Sequence, residues 1–127
     1  MKLTIHREYI KHRSDNSKKV EIFWSEQLNS KKSPLVIIVH GHNEGLRLGA
    51  RTDIYTGVFE YFSENGAVAV TMSQPGYGNS DGPTDYCGPF TSAALSSVID
   101  FFSKNDSVDS ENIIVYGLSR GATVAAL

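Results

Sequence analysis

Three short runs of aliphatic and β-branched residues limit what this chain can fold into: Leu35–Val39, Ala67–Met72 and Ile113–Tyr116. Leu35–Val39 is continuously apolar rather than alternating, as suits a strand buried on both faces of a sheet, Ala67–Met72 is a second buried strand candidate, and Ile113–Tyr116 is a third short apolar run. Helical patterns lie between and after them. Ile54, Val58, Tyr61 and Phe62 fall at i, i+4, i+7 and i+8, with Asp53 placed to cap the start and Asn65-Gly66 marking the stop. Leu95, Val98, Ile99 and Phe102 mark a second amphipathic helix, which Thr91 is placed to cap. Ala122–Leu127 begins a third. Strands alternating with helices in this order predict a parallel sheet with right-handed crossovers.

Ahead of that pattern, two alternating stretches, Leu3–Ile10 and Lys19–Ser25, flank the polar segment Arg13–Ser17 and predict a β-hairpin. Asn29–Pro34 is a polar connector. The expected fold class is therefore α/β: an N-terminal β-hairpin within residues 1–30, then a partial parallel, doubly wound sheet over residues 35–127, all in one domain. Lys2, Arg7, Lys11, Lys18 and Lys19 alternate with apolar residues and read as the solvated face of the hairpin. His6 and His12 read as surface residues of the same hairpin.

Composition excludes several classes. The 127 residues are 40% apolar and 20% charged, a globular balance. The longest unbroken apolar run, Leu35–Val39, is far short of the ~20 residues that span a bilayer. The N-terminal stretch has charges but no apolar signal core, which makes the cytoplasm the default location. One cysteine, Cys87, excludes an intrachain disulfide and a Cys-rich zinc site. Charge is uneven, net +5 over residues 1–51 and net −7 over residues 52–127. No basic run interleaved with aromatics is present, so nucleic acid is not the expected partner, and the shortness of the apolar runs leaves no membrane partner expected either.

The chemistry sits at Gly117-Leu118-Ser119-Arg120-Gly121, which matches G-x-S-x-G. The pattern alone is weak in a chain with 11 glycines. Its setting makes it informative, because an apolar strand precedes it and a helical stretch follows. A serine on so tight a strand-to-helix turn projects its hydroxyl clear of the backbone, and the flanking residues must be tiny to let strand and helix pass. His40-Gly41-His42 follows the strand Leu35–Val39 directly. Such a loop is placed to give a backbone N–H, here that of His42, to a developing oxyanion. The His40 side chain reads as structural. Two histidines two apart, with no carboxylate cluster, do not make a metal site. The third loop, Gln74–Pro83, carries Gly76, Gly78 and Gly82 at G-x-G-x-x-x-G and leads into more loop, unlike a dinucleotide fingerprint.

These three loops, each after an apolar strand and in this order, resemble the α/β-hydrolase fold over about residues 20–127. The segments SQPGYGNSDGPTDYCGPFTSAAL and VDSENIIVYGLSRGATVAAL look most like its prolyl-oligopeptidase and dienelactone-hydrolase-like branch. The resemblance implies a serine hydrolase acting on an ester, amide or peptide substrate, with no cofactor. It implies Ser119 as nucleophile, Gly117 and Gly121 as elbow glycines, and the His42 and Arg120 amides as the oxyanion hole. Tyr77 and its loop would border the acyl pocket.

In that family the acid and the histidine follow the serine. Residues 120–127 hold neither, and His6, His12, His40 and His42 all precede it. The expectation is an incomplete domain, the first half of the fold, with negligible turnover and poor solubility. Two other readings remain: a non-catalytic relic or module that binds an anion or small molecule in the oxyanion pocket, and a nucleotide-binding α/β domain.

Overall fold

The computed structural model describes residues 4–27, 31–42 and 48–126. Lys2, Leu3, Asn29 and Leu127, named above, lie outside them. Five strands, β1 (His6–His12), β2 (Asp15–Ser25), β3 (Ser33–Val39), β4 (Val68–Met72) and β5 (Val108–Gly117), form one sheet in the order β1-β2-β4-β3-β5. Helices α1 (Arg51–Tyr55), α2 (Val58–Glu64), α3 (Pro89–Ser103) and α4 (Arg120–Ala126) connect and follow them. The β4-β3-β5 part is parallel, as the alternation predicts.

The sheet as a whole is mixed, because β2 pairs antiparallel with β4 and so attaches the hairpin to the parallel part. A strand buried on both faces can still accept an edge neighbour of either direction, and no residue pattern within β4 distinguishes the two. The turn between β1 and β2 is also tighter than expected, with only Arg13 and Ser14 between the strands.

Leu35 to Val39 are at most 3% exposed, and alternation divides them between two layers. Leu35, Ile37 and Val39 join Val70, Met72, Val98, Phe102 and Val124 on the face covered by α3 and α4. Val36 and Ile38 pack with Phe59, Ala67 and Ala69 on the face covered by α1 and α2. Burying a side chain of this size stabilises the fold by about 1.5–3 kcal/mol, so β3 alone contributes to two cores.

Four local expectations are corrected. The first helical pattern is two short helices, broken at Gly57, whose φ is +86°. The break turns the buried face of α2 onto Phe59 and leaves Tyr61 62% exposed. Asp53 is inside α1 and fully buried rather than a cap. At α3 the N-cap is Gly88, with Pro89 at the first turn, and Thr91 is buried within the helix. Asp85 does the capping: its carboxylate accepts the Phe90 N–H at 2.6 Å and the Thr91 N–H at 3.2 Å.

His12 is the fourth correction. It is buried, its Nε2 bonds the Phe90 carbonyl at 2.8 Å, and its ring stacks on Phe90 at 3.8 Å. A histidine at a hairpin tip reads as exposed because the sequence does not say which helix will cover the tip. Here α3 does.

Arg7 differs in part from its expected solvated role. Its side chain is 38% exposed, but its guanidinium reaches the fully buried Glu21 at 2.7 Å. Glu21 also accepts from Ser73 Oγ at 2.8 Å and from the Asn79 N–H at 3.2 Å. Burial raises the Glu21 carboxyl pKa, but the bonds from Ser73, Asn79 and Arg7 outweigh it and hold the carboxyl below the usual range. This network fastens the loop after β4 to the hairpin. The 19–81 backbone pair, Asp81 N–H to Lys19 O at 2.9 Å, extends the same seam.

Candidate active site

The three parallel strands end level with one another. Val39 pairs with Met72 on one side and Gly117 on the other, so the loops after β3, β4 and β5 converge at the carboxyl edge of the sheet. In open α/β sheets that edge is where ligands bind.

At the end of β5 the chain turns within two residues into α4. Ser119 sits in the turn with φ +55°, in the left-handed region that a non-glycine residue rarely adopts, and it is exposed. The flanking glycines are there for want of space. A Cβ on Gly117 would lie 2.3 Å from the Gly121 carbonyl oxygen and 2.5 Å from Ala122 Cα. A Cβ on Gly121 would lie 2.1 Å from the Val39 carbonyl oxygen. Strand, turn and helix are thus in backbone contact.

Two bonds close the turn: Gly121 N–H to the Leu118 carbonyl at 2.8 Å, and Ala122 N–H to the Ser119 carbonyl at 2.9 Å. Leu118 N–H bonds the Val39 carbonyl at 3.2 Å and ties the elbow to the end of β3. The His40–His42 loop lies against it. A Cβ on Gly41 would stand 3.2 Å from Ser119 Cβ, so glycine lets this loop approach the serine.

His40 is structural, as read. It is fully buried, donates from Nδ1 to the Gly41 carbonyl at 2.6 Å, and accepts the Gln74 N–H on Nε2 at 3.0 Å. Those partners require the neutral ring. Burial, with the nearby His42 charge, pushes its pKa down to about 4 against the opposing pull of the Gly41 carbonyl. The Gln74 side chain returns a bond to the His40 carbonyl at 2.6 Å, which locks the loops after β3 and β4 together.

His42 is exposed, and its Nδ1 is 2.8 Å from the Tyr77 hydroxyl. Tyr77 itself is buried, with its ring 4.8 Å from that of His40. Burial raises the Tyr77 phenol pKa, while the Arg120 guanidinium nearby opposes the rise by charge and hydrogen bonding. Ser119, His42, Tyr77 and Arg120 are therefore brought together from three loops.

Arg120 opens α4, a position whose N–H has no acceptor within the helix. Its guanidinium lies over the Tyr86 ring at 5.3 Å, and its carbonyl accepts from Cys87 Sγ at 3.5 Å. Tyr86 and Cys87 both have positive φ, +47° and +74°. Sequence reading missed this 85–88 turn as part of the site. The available signal was Asp85 four residues before Pro89, a cap that fixes where α3 starts and hence where the turn must fold.

Among the described residues, no imidazole or carboxylate hydrogen-bonds Ser119 Oγ, and no three His, Cys, Asp or Glu side chains gather as a metal site. A shallow apolar hollow between α2 and β5 is lined by Thr56, Gly57, Val58, Tyr61, Phe62 and Tyr116. It includes none of the elbow residues. No described helix is long and apolar enough to cross a membrane.

A mixed sheet with a parallel β4-β3-β5 part, flanked by helices on both faces and carrying a strained serine where a strand meets a helix, has the arrangement of an α/β hydrolase fold. The sequence profile of that family, described as alpha/beta hydrolase fold, matches residues 34–127, and the chain belongs to it. No curated protein matches the chain. Among solved structures it is similar to the esterase Pf2001 of Pyrococcus furiosus, with a TM-score of 0.77 and 20% identity over 97% of this chain and 45% of that one. It is also similar to the α/β hydrolase GrgF of Penicillium sp. sh18, with a TM-score of 0.77 and 18% identity over 96% and 40%. A serine hydrolase homologue from Coxiella burnetii gives a TM-score of 0.75 and 22% identity over 95% and 55%. The chain thus spans about half the length of these structures, and the likeness is one of fold.

Proposed function

We propose that this chain supplies the nucleophile and oxyanion hole of a serine hydrolase that cleaves an ester, amide or peptide bond. The observation that carries the reading is Ser119, a non-glycine residue at φ +55°, exposed on a turn whose neighbours have no room for a Cβ. Backbone strain of this kind costs about 1–3 kcal/mol and persists where the surroundings enforce it.

In the proposed reaction Ser119 Oγ attacks the substrate carbonyl carbon as a general base takes the hydroxyl proton, which then passes to the leaving group. The carbonyl oxygen becomes an oxyanion facing the His42 and Arg120 amides, and collapse expels the leaving group to give an acyl-enzyme that water hydrolyses. Tyr77 acts on this hole from behind, by holding His42 through its ring nitrogen. No base is assigned within the described residues.

Esters are the first substrates to test, which the esterase among the similar folds supports. The glycine-rich loop after β4 supports a place beside the prolyl-oligopeptidase and dienelactone-hydrolase branch. One unbridged thiol, Cys87, fits the cytoplasm. The test is hydrolysis of 4-nitrophenyl esters by the protein expressed from its own gene. Ser119→Ala should lower kcat by at least ~10⁴-fold. Turnover that survives the substitution overturns the proposal.

A further inference from the structure

Arg120 has features that an oxyanion donor does not need, since only its backbone N–H serves that role. Residues 52–127 carry two cationic side chains against nine carboxylates, and Arg120 is one of the two. It follows the nucleophile directly, and its residue is exposed. The ion pairs among the described residues are His6–Glu26, Arg7–Glu21 and Arg13–Asp100, and none uses Arg120.

The carboxylate of the adjoining turn, Asp85, is committed elsewhere. Asp85 accepts the Phe90 and Thr91 N–H groups and the Thr91 hydroxyl at the start of α3. What the same turn offers Arg120 is an aromatic face. Tyr86, at φ +47°, places its ring 5.3 Å from the guanidinium carbon. Held on a ring, hydrogen-bonded to the Tyr77 hydroxyl and paired with no carboxylate among the described residues, the guanidinium has further N–H donors to offer a planar anion.

We propose that Arg120, carried on Tyr86, is a specificity-determining residue that binds a carboxylate on the substrate, so that the preferred esters are acidic ones. This rests on the serine hydrolase reading for its context, but the anion site stands on its own contacts. The carboxylate would accept bidentate hydrogen bonds from the guanidinium while the scissile carbonyl lies over Ser119.

The test compares two esters of equal reach on the protein expressed from its own gene: 4-nitrophenyl hydrogen glutarate, which carries a carboxylate, and neutral 4-nitrophenyl valerate. The expected kcat/KM ratio favours the glutarate by roughly 10- to 100-fold and falls with added salt. Arg120→Gln should bring the ratio close to one, Arg120→Lys should keep part of it, and Tyr86→Ala should reduce it with the charge retained. A ratio unchanged in Arg120→Gln, or a wild-type preference for valerate, overturns the proposal.

Binding is read separately from turnover, by titrating glutarate into the Ser119→Ala protein and following the Arg120 side-chain and Tyr86 ring resonances. Shifts that vanish in Ser119→Ala/Arg120→Gln are expected, and no shift in the parent overturns the site. Glutarate bound at Arg120 with no Ser119-dependent hydrolysis of either ester would leave the anion site standing and defeat the serine hydrolase reading.

Discussion

Ser119 holds a backbone conformation that costs an L-residue about 1–2 kcal/mol and costs glycine almost nothing. Ser119→Gly should therefore raise stability relative to Ser119→Ala by ~1 kcal/mol in urea unfolding. Equal stability of the two variants would mean that the turn is not strained. Gly121→Ala should act in the opposite sense. Its Cβ would meet the Val39 carbonyl oxygen at 2.1 Å, and relieving that overlap should cost ~3 kcal/mol, read in the same experiment. This turn was legible in the sequence because so tight a connection from strand to helix restricts residue type at each position. Glu21 was not. A lone glutamate in an alternating strand reads as solvent-facing, and its partners Arg7, Ser73 and Asn79 come from β1 and from the loop after β4.

Between elements, two buried titratable groups pull stability in opposite directions. Asp53 of α1 accepts from Thr71 Oγ1 of β4 at 2.7 Å, and its Oδ1 is buried without a partner. Burial raises its pKa to about 6, against the lowering effect of that bond. The folded state thus binds the Asp53 proton more tightly than the unfolded chain, and stability from this group is lost as pH rises from about 4 to about 6. His40, lowered to about 4, does the reverse, and its contribution is lost as pH falls from about 6.5 to about 4.

The two effects offset each other in one window, so wild-type stability should be nearly flat between pH 4.5 and 6, on the order of the shifts themselves. Asp53→Asn should remove one arm. The variant should gain ~2 kcal/mol at pH 7.5 and become acid-sensitive below pH 6.5, measured by thermal unfolding across pH. A variant with the wild-type pH profile would contradict the buried, ionisable role given to Asp53. From sequence, Asp53 just ahead of an apolar pattern reads as a cap. It is buried because α1 starts earlier, at Arg51, and turns Asp53 onto β4.

Across the whole molecule, the alternation of apolar runs and helical patterns was enough to read a parallel sheet, but not the order β4-β3-β5 of its strands. The pairing of β2 with β4 was not legible, since it depends on which edge the hairpin finds. The same topology leaves β5 at the sheet edge, with Ile114 52% and Tyr116 37% exposed. Unpaired apolar edges promote association. A chain of these 127 residues should self-associate in size-exclusion chromatography, and Ile114→Lys should shift it toward monomer. A monomer at high concentration without the substitution would contradict that expectation.

If Ser119 is an activated nucleophile at the carboxyl edge of the sheet, a fluorophosphonate should label it in the protein expressed from its own gene. Peptide mass spectrometry should then find a single phosphonylated serine, Ser119, and no labelling in Ser119→Ala. An unlabelled protein, or an adduct on another residue that survives the substitution, would contradict that role.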